Sequence, residues 1–323
     1  MPTLHDVIAA RVNVYLHLRP TPLYRYSGLS ELIGAQVWVK HENHLPVGAF
    51  KVRGGLNLVA HLAEQERASG LFTASTGNHG QSIAYAARAH GVRATIAVPE
   101  GANPAKVAAM RGLGAEVVFH GADFDSAREW IAGIASAQGG RFVGPTEELL
   151  IHGVGTYALE IIEDLPEVEA IIVPVGAGSG VCATAIVAKA INPAIQVIGV
   201  QSAQAPAMQK SWAAGKMLSA DMSTVAEGLA TRVPFANTQR IMREYLDDFV
   251  LVEDDAIENA ILQLLEHTRN LAEGAGAASL AAAIKLKPGL AGKKVVLVMS
   301  GGNLSVNQLR RVLARSSTSD GAH

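Results

Sequence analysis

The chain has 323 residues, 49% of them apolar and 17% charged, with a formal net charge of −2. Such a length exceeds what one hydrophobic core usually fills, so two domains, or one large domain carrying an insertion, are expected. Charges of both signs are scattered rather than gathered into the basic stripe of a nucleic-acid binder, and no apolar run reaches membrane-spanning length.

Short β-branched runs alternate with longer amphipathic segments, which predicts strand, helix, strand units with parallel pairing, in two sheets rather than one. The first twenty residues, "MPTLHDVIAARVNVYLHLRP", have no basic patch followed by an apolar core, so no leader is expected there. A first strand is predicted at Gln36–Lys40, followed by "KHENHLPVGAFKVRGG" and a helix over Phe50–Ser69. His41 and His44 lack an adjacent third ligand, so they are not read as a metal site. Lys51 lies between an aromatic residue and a second cation, with glycines close by. It fits two descriptions: a surface lysine whose stem covers apolar neighbours, or an amine held in a cleft for Schiff-base chemistry.

The next predicted strand, Gly70–Ala74, runs into Ser75-Thr76-Gly77-Asn78-His79-Gly80 and a helix over Asn78–His90. A helix N-terminus with hydroxyl, amide and imidazole donors suits a carboxylate; an ordinary N-cap is the alternative. Strands at Ala94–Val98 and Glu116–Phe119 and helices at Asn103–Leu113 and Phe124–Ala137 complete a segment that needs little of the remainder. The expected organisation is therefore a small mobile domain at 70–146 and a large discontinuous domain at 1–69 plus 147–323.

After a helix over Leu149–Asp164, the apolar strand Ala170–Val175 enters Gly176-Ala177-Gly178-Ser179-Gly180 and then a helix to Ile191. Small residues at a helix N-terminus form a phosphate cradle, although a tight turn without a ligand has the same form. The spacing is not that of a dinucleotide fold, and the strand Gln196–Val200 is followed by Gln201 rather than an acidic residue. No Gly-Lys-Ser/Thr follows, which excludes a P-loop. A smaller, terminal phosphate fits better. Cys182, the only cysteine, excludes an intramolecular disulfide, favours a cytosolic compartment and is expected to be a buried packing residue.

Residues 203–234 are the least regular part of the chain. Beyond them come a strand at Phe249–Val252, a helix over Asp254–Ala272 and a strand at Lys294–Met299 that ends in Ser300-Gly301-Gly302-Asn303. A last helix, Asn303–Ala314, and a polar tail expected to fray complete the reading. Strand ends in parallel sheets face the ligand crevice, so the turns after Ala74, Val175 and Met299 are candidates to meet there.

These three turns, together with "KHENHLPVGAFKVRGG", resemble the pyridoxal-phosphate enzymes of fold-type II, most closely the branch of threonine/serine dehydratases (ammonia-lyases) and serine racemases. The resemblance extends from "RPTPL" at Arg19 to the final helix. The family's Schiff-base motif, S-F-K-x-R-G, reads here Ala49-Phe50-Lys51-Val52-Arg53-Gly54. The resemblance implies an α/β fold of two domains, each a mainly parallel twisted sheet flanked by helices, as in the tryptophan-synthase β chain. It implies pyridoxal 5'-phosphate held by Lys51, with Phe50 beside the ring and Asn78 at the phenolic oxygen. Gly176, Ala177, Gly178, Ser179 and Gly180 would hold the phosphate, and Ser300 the pyridine nitrogen. Ser75, Thr76, Gly77, Asn78 and His79 fall where the family grips the substrate carboxylate. "TVAEGLATRVP" and "EGAGAASLAA" place Glu227, Gly228 and Glu273 near the site, with Gly228 against the substrate.

By the same resemblance the reaction is α,β-elimination from a small L-β-hydroxy amino acid, threonine or serine, to a 2-oxo acid and ammonia. Thr76 stands where racemases place a serine opposite the lysine, which makes it a second catalytic candidate. Metal-activated relatives carry carboxylates where this chain has Gln201 and Ala207, so no metal is expected. Alternatives are a larger or modified substrate (phenylserine, hydroxyaspartate or a hydroxyectoine-derived diamino acid), serine racemisation, or a non-catalytic phosphate-binding protein. A catabolic, cytoplasmic homodimer or homotetramer is expected, with no nucleic-acid or membrane partner.

Overall fold

The computed structural model describes residues 1–319, which form ten strands: β1 (Leu23–Arg25), β2 (Gln36–His41), β3 (Leu71–Ala74), β4 (Ala94–Val98), β5 (Glu116–Phe119), β6 (Arg141–Phe142), β7 (Ala170–Pro174), β8 (Gln196–Ser202), β9 (Asp248–Val252) and β10 (Lys294–Met299). They make two sheets, in the orders β1-β2-β10-β7-β8-β9 and β5-β4-β3-β6. Every pairing is parallel except that of β1 with β2. β3 and β7 are buried at every residue, as strands covered on both faces must be, and this is why they read as continuous apolar runs. Among the described residues no helix is long and apolar enough to cross a membrane.

The chain folds into two compact units, Met1–Arg19 with Leu45–Thr156, and Pro20–His44 with the chain from Tyr157 onward. The segment 70–146 lies wholly within the first unit, which is wider than the domain expected there. Two glycines explain the extra width. A Cβ on Gly54 would come within 2.7 Å of the Leu150 carbonyl oxygen, and one on Gly153 within 2.4 Å of that of Arg53. The helices Lys51–Ala60 and Glu148–Val154 thus touch backbone to backbone, on either side of the sequence that carries β3 to β6. Arg53 is fully buried in this contact and donates to Thr156 Oγ1 at 3.0 Å.

Several predicted helices differ in their limits. Phe50–Ser69 is two helices, Lys51–Ala60 and Glu64–Ser69, because Arg67 turns back to donate to the carbonyl oxygens of Val59, Ala60 and Leu62 and so satisfies the end of the first. Leu149–Asp164 divides into Glu148–Val154 and Thr156–Asp164 at Gly155, where Val7 fills the space beside the glycine. The predicted helix to Ala272 ends at Thr268, with Arg269 in the left-handed region. The last helix runs over Val306–Ser319, and the rest of the polar tail lies outside the described residues.

In the second unit, β2 carries a buried ion pair. Lys40 Nζ lies 2.6 Å from Glu160 Oε2, both side chains are almost wholly inaccessible, and Lys40 also donates to the Thr21 carbonyl oxygen at 2.7 Å. Thr21 completes the cluster, its N–H donating to Glu160 and its hydroxyl to the buried Glu42. Removing Lys40 takes away the cation that lies 2.6 Å from the buried Glu160 carboxylate. Lys40→Met is expected to cost about 3–5 kcal/mol in urea unfolding, and the added change Glu160→Leu should recover most of it.

Candidate active site

In the first unit, Lys51 opens the helix Lys51–Ala60, and its carbonyl oxygen accepts a hydrogen bond from Ser82 Oγ at 2.6 Å. Gly55, one turn on, leaves room for that serine: a Cβ there would meet Ser82 Oγ at 2.5 Å. Ser82 belongs to the helix Asn78–Ala89, so the lysine backbone is anchored to the helix that follows the Ser75–His79 turn. The Lys51 ammonium lies 5.1 Å from the Phe50 ring centroid, where the negative face of the ring attracts it.

The turn itself divides its labour. Ser75 Oγ accepts from the N–H groups of Gly77 at 3.2 Å and Gly80 at 2.9 Å, so this side chain shapes the turn. The Thr76 hydroxyl makes no hydrogen bond among the described residues. Gly77 has no atom within 4 Å of where a Cβ would stand, which leaves its backbone open to a ligand. Asn78 is the first residue of the helix. His79 is buried, with Nε2 3.1 Å from Thr73 Oγ1 and 3.3 Å from the Val143 carbonyl oxygen. A carbonyl only accepts, so Nε2 carries the ring hydrogen. Burial, reinforced by the positive charge of Lys51, pushes the His79 pKa down to about 4, and the imidazole is neutral at pH 7.

In the second unit, β7 delivers the turn Gly176–Gly180 to the helix Ser179–Ile191. A Cβ on Gly176 would fall 2.2 Å from the Gly228 carbonyl oxygen. Gly178 has φ +101, a conformation that disfavours any side chain, and Thr238 packs against it. Thr238 Oγ1 donates to the Ala177 carbonyl oxygen at 2.8 Å, while Tyr157 and Thr184 donate to that of Gly180. Gly228 in turn meets Ala275, Gly276 meets the Gly301 carbonyl oxygen, and that oxygen accepts the Glu273 N–H at 3.0 Å. The turn, the Glu227–Gly228 segment, the start of the helix Gly274–Lys285 and the end of β10 are therefore one close-packed backbone assembly. Ser300 is buried at its edge. These residues fit a phosphate-bearing ring cofactor: small residues keep the turn N–H groups bare at a helix N-terminus, and Ser300 offers one neutral hydroxyl.

The first unit thus brings together Phe50, Lys51 and Ser75–His79, and the second brings together Gly176–Gly180, Gly228 and Ser300. Ser82, Thr73, Thr238 and Tyr157 support them and had no sequence signal, since each acts through a contact distant in the chain. Cys182 is buried with its thiol pushed upward by burial, and Sγ lies 3.4 Å from the Thr238 carbonyl oxygen, as a packing residue. His41 and His44 stack at 4.8 Å and bond Tyr26 and Asn270. Among the described residues no group of three or more His, Cys, Asp or Glu is placed to hold a metal ion. The Gln201 amide accepts from the Gln209 N–H and donates to the Leu229 carbonyl oxygen, so its polar atoms are engaged within the protein.

His41, like His79, is pushed down by burial to about 4. In the unfolded chain both would titrate near 6.5, so below that pH the unfolded state binds more protons than the native state. Their contribution to stability is complete above about pH 6.5 and is lost as the pH falls toward 4. Urea unfolding should show lower stability at pH 5 than at pH 7, and His79→Gln should make the difference smaller.

A family model described as "Pyridoxal-phosphate dependent enzyme" matches residues 14–301. The L-threonine ammonia-lyase of Thermotoga maritima is 40% identical over 323 residues, 99% of this chain and 80% of that protein. The catabolic L-threonine dehydratase of Escherichia coli (strain K12) is 34% identical, over 96% of this chain and 95% of that protein. The solved structure of maize serine racemase superposes with a TM-score of 0.91 at 28% identity, covering 99% of both chains. With its two mainly parallel sheets and this match over most of its length, the chain belongs to the pyridoxal-phosphate dependent enzyme family of fold-type II.

Proposed function

We propose that the protein is a threonine/serine ammonia-lyase that converts small L-β-hydroxy amino acids to 2-oxo acids and ammonia. The observation that carries this reading is the packing of the Lys51 helix onto the helix that presents the Ser75–His79 turn, which keeps an amine and a carboxylate grip within one compact unit. The relatives named for threonine support the choice of substrate.

Lys51, Phe50 and Asn78 of the first unit, and the Gly176–Gly180 turn and Ser300 of the second, would hold pyridoxal 5'-phosphate, which would supply an electron sink for charge released at Cα. Lys51 Nζ, free as an amine, would remove the Cα proton of the bound amino acid. The neutral His79 adds no positive charge beside that amine. The Thr76 hydroxyl and the first N–H groups of the helix Asn78–Ala89 hold the substrate carboxylate, with the open face of Gly77 allowing close approach. Ser300 is neutral, so beside the ring nitrogen it would not hold a proton there as a carboxylate would, which would favour loss of the β-hydroxyl over transamination. Water lost from Cβ is matched by water taken up when the C–N bond breaks.

The sheet β5-β4-β3-β6 lies entirely within 70–146, and we assign the movement that encloses the substrate to that segment. Self-association as a homodimer or homotetramer is supported by Ile8, Val12 and Leu16, exposed apolar residues spaced to share one side of the N-terminal helix. A cytoplasmic location accords with the single buried cysteine.

Borohydride reduction of the loaded protein should leave the cofactor attached to the peptide containing Lys51, and Lys51→Ala should lose both this attachment and 2-oxo acid release. A fully active Lys51→Ala protein would end the reading. In a substrate panel, threonine and serine should outrank phenylserine and hydroxyaspartate.

Serine racemisation is the second reading, favoured by the unbonded Thr76 hydroxyl. Threonine is stiff at χ1, and a proton donor opposite Lys51 needs one particular rotamer. Elimination is therefore expected to dominate. Chiral analysis of serine recovered from a partial reaction checks it: D-serine accumulating faster than pyruvate would reverse the assignment, and Thr76→Ala should then remove the D-product while sparing elimination.

A further inference from the structure

Beyond the proposed reaction site, the irregular stretch after β8 lines an open surface pocket of about 590 Å³, with Gln204, Lys210, Ser219, Asp221, Ser223 and Arg232 among its lining residues. Its walls are fixed. The Ser223 N–H donates to the Gln204 carbonyl oxygen at 2.9 Å and the Ala220 N–H to that of Arg232 at 3.1 Å. The Gln204 side chain is itself held, accepting from Ser202 Oγ and the Asp254 N–H and donating to Glu253. By contrast, among the described residues the side chains of Lys210, Asp221 and Arg232 form no ion pair or hydrogen bond, although two cations and an anion line the same space.

We propose that this pocket is a second binding site, for an acidic amino acid such as L-aspartate. The charges decide the class. Two cations and one carboxylate are matched by a ligand with two carboxylates and one ammonium, whereas inorganic phosphate would leave Asp221 facing a like charge. The Ser219 and Ser223 hydroxyls supply further donors, and the volume lies within the range of small-molecule sites. Exposed single ion pairs contribute little, so recognition rests on engaging all three charges together. The pocket wall also continues into the site assembly. Asp254 accepts from Thr224 Oγ1 and the Val225 N–H, both at 2.7 Å, and the next residues lead to Gly228, which rests against Gly176.

Calorimetric titration of the pyridoxal-phosphate-loaded protein tests the proposal directly, without depending on which reaction is catalysed. L-Aspartate should bind saturably, with succinate and L-alanine each at least about tenfold weaker, since each lacks one of the matching charges. Asp221→Asn should weaken L-aspartate by about tenfold and leave succinate unchanged, while Arg232→Gln and Lys210→Gln should weaken both. All three residues are exposed, so circular dichroism of the variants should match that of the parent. Lys51→Ala should retain L-aspartate affinity. Absence of saturable binding, inorganic phosphate binding as tightly as L-aspartate, unchanged affinity in the three pocket variants, or loss of affinity in Lys51→Ala would each overturn the assignment.

Discussion

Close approach of one backbone to another, at positions where no side chain fits, is the constraint on which both units depend. In the first unit, Gly54 and Gly153 let the Lys51 helix and its neighbour meet with their peptide groups in contact. In the second, Gly176 meets the Gly228 carbonyl oxygen and Gly276 that of Gly301, with Gly228 packed on the Ala275 side chain between them, from the end of β7 to the end of β10. A contact of this kind transmits position with little slack, because interiors are close-packed and a backbone cannot change rotamer. The placement of the Lys51 helix and of the Gly176–Gly180 turn therefore follows from residues with no chemistry of their own. It also explains a composition rich in Gly and Ala and poor in aromatics: the helices that carry the site are packed by small residues.

Charge is handled in two different ways. The Lys40, Glu42, Glu160 and Thr21 cluster is buried and linked by an ion pair and hydrogen bonds, so its charges join β2 to a helix. Near Lys51 the opposite holds, since the buried imidazole of His79 is kept neutral and tied by Nε2 to Thr73 and Val143. A charged imidazole there would lower the basicity of the neighbouring Lys51 amine and would lie buried without a counter-charge among its hydrogen-bond partners. Burial at the end of β3 prevents both.

Much of this was legible in the sequence. The β-branched runs placed eight of the ten strands among the described residues to within a residue or two, because parallel strands buried on both faces leave an apolar signature, as in β7 and β10. The three glycine-rich turns were legible because each follows such a strand. Helix breaks at His61 and Gly155 were not, since they depend on Arg67 capping at a distance and on Val7 packing against a glycine. Thr238 was invisible for the same reason: it is an ordinary threonine in an ordinary helix until the fold places its hydroxyl on the Ala177 carbonyl oxygen. The first unit extends beyond 70–146 because a close contact of the Lys51 helix with Glu148–Val154 joins chain on either side of that segment.

Neutral side chains at the ends of the strands form the last common thread. Ser300 follows β10, Gln201 lies near the end of β8 and Thr76 follows β3, and none carries a charge. Gln201 bonds the Gln209 N–H and the Leu229 carbonyl oxygen, a mixed donor and acceptor task that a carboxylate, which only accepts, cannot perform. A glutamate at 201 would leave the Leu229 carbonyl oxygen facing a second acceptor. Replacing such an amide by an acid would demand a cation between the two oxygens, so the amide itself makes the junction of β8 with the Glu227–Leu229 segment independent of an added charge. That segment is the one resting on Gly176, so the Gln201 amide is among the groups that set its position.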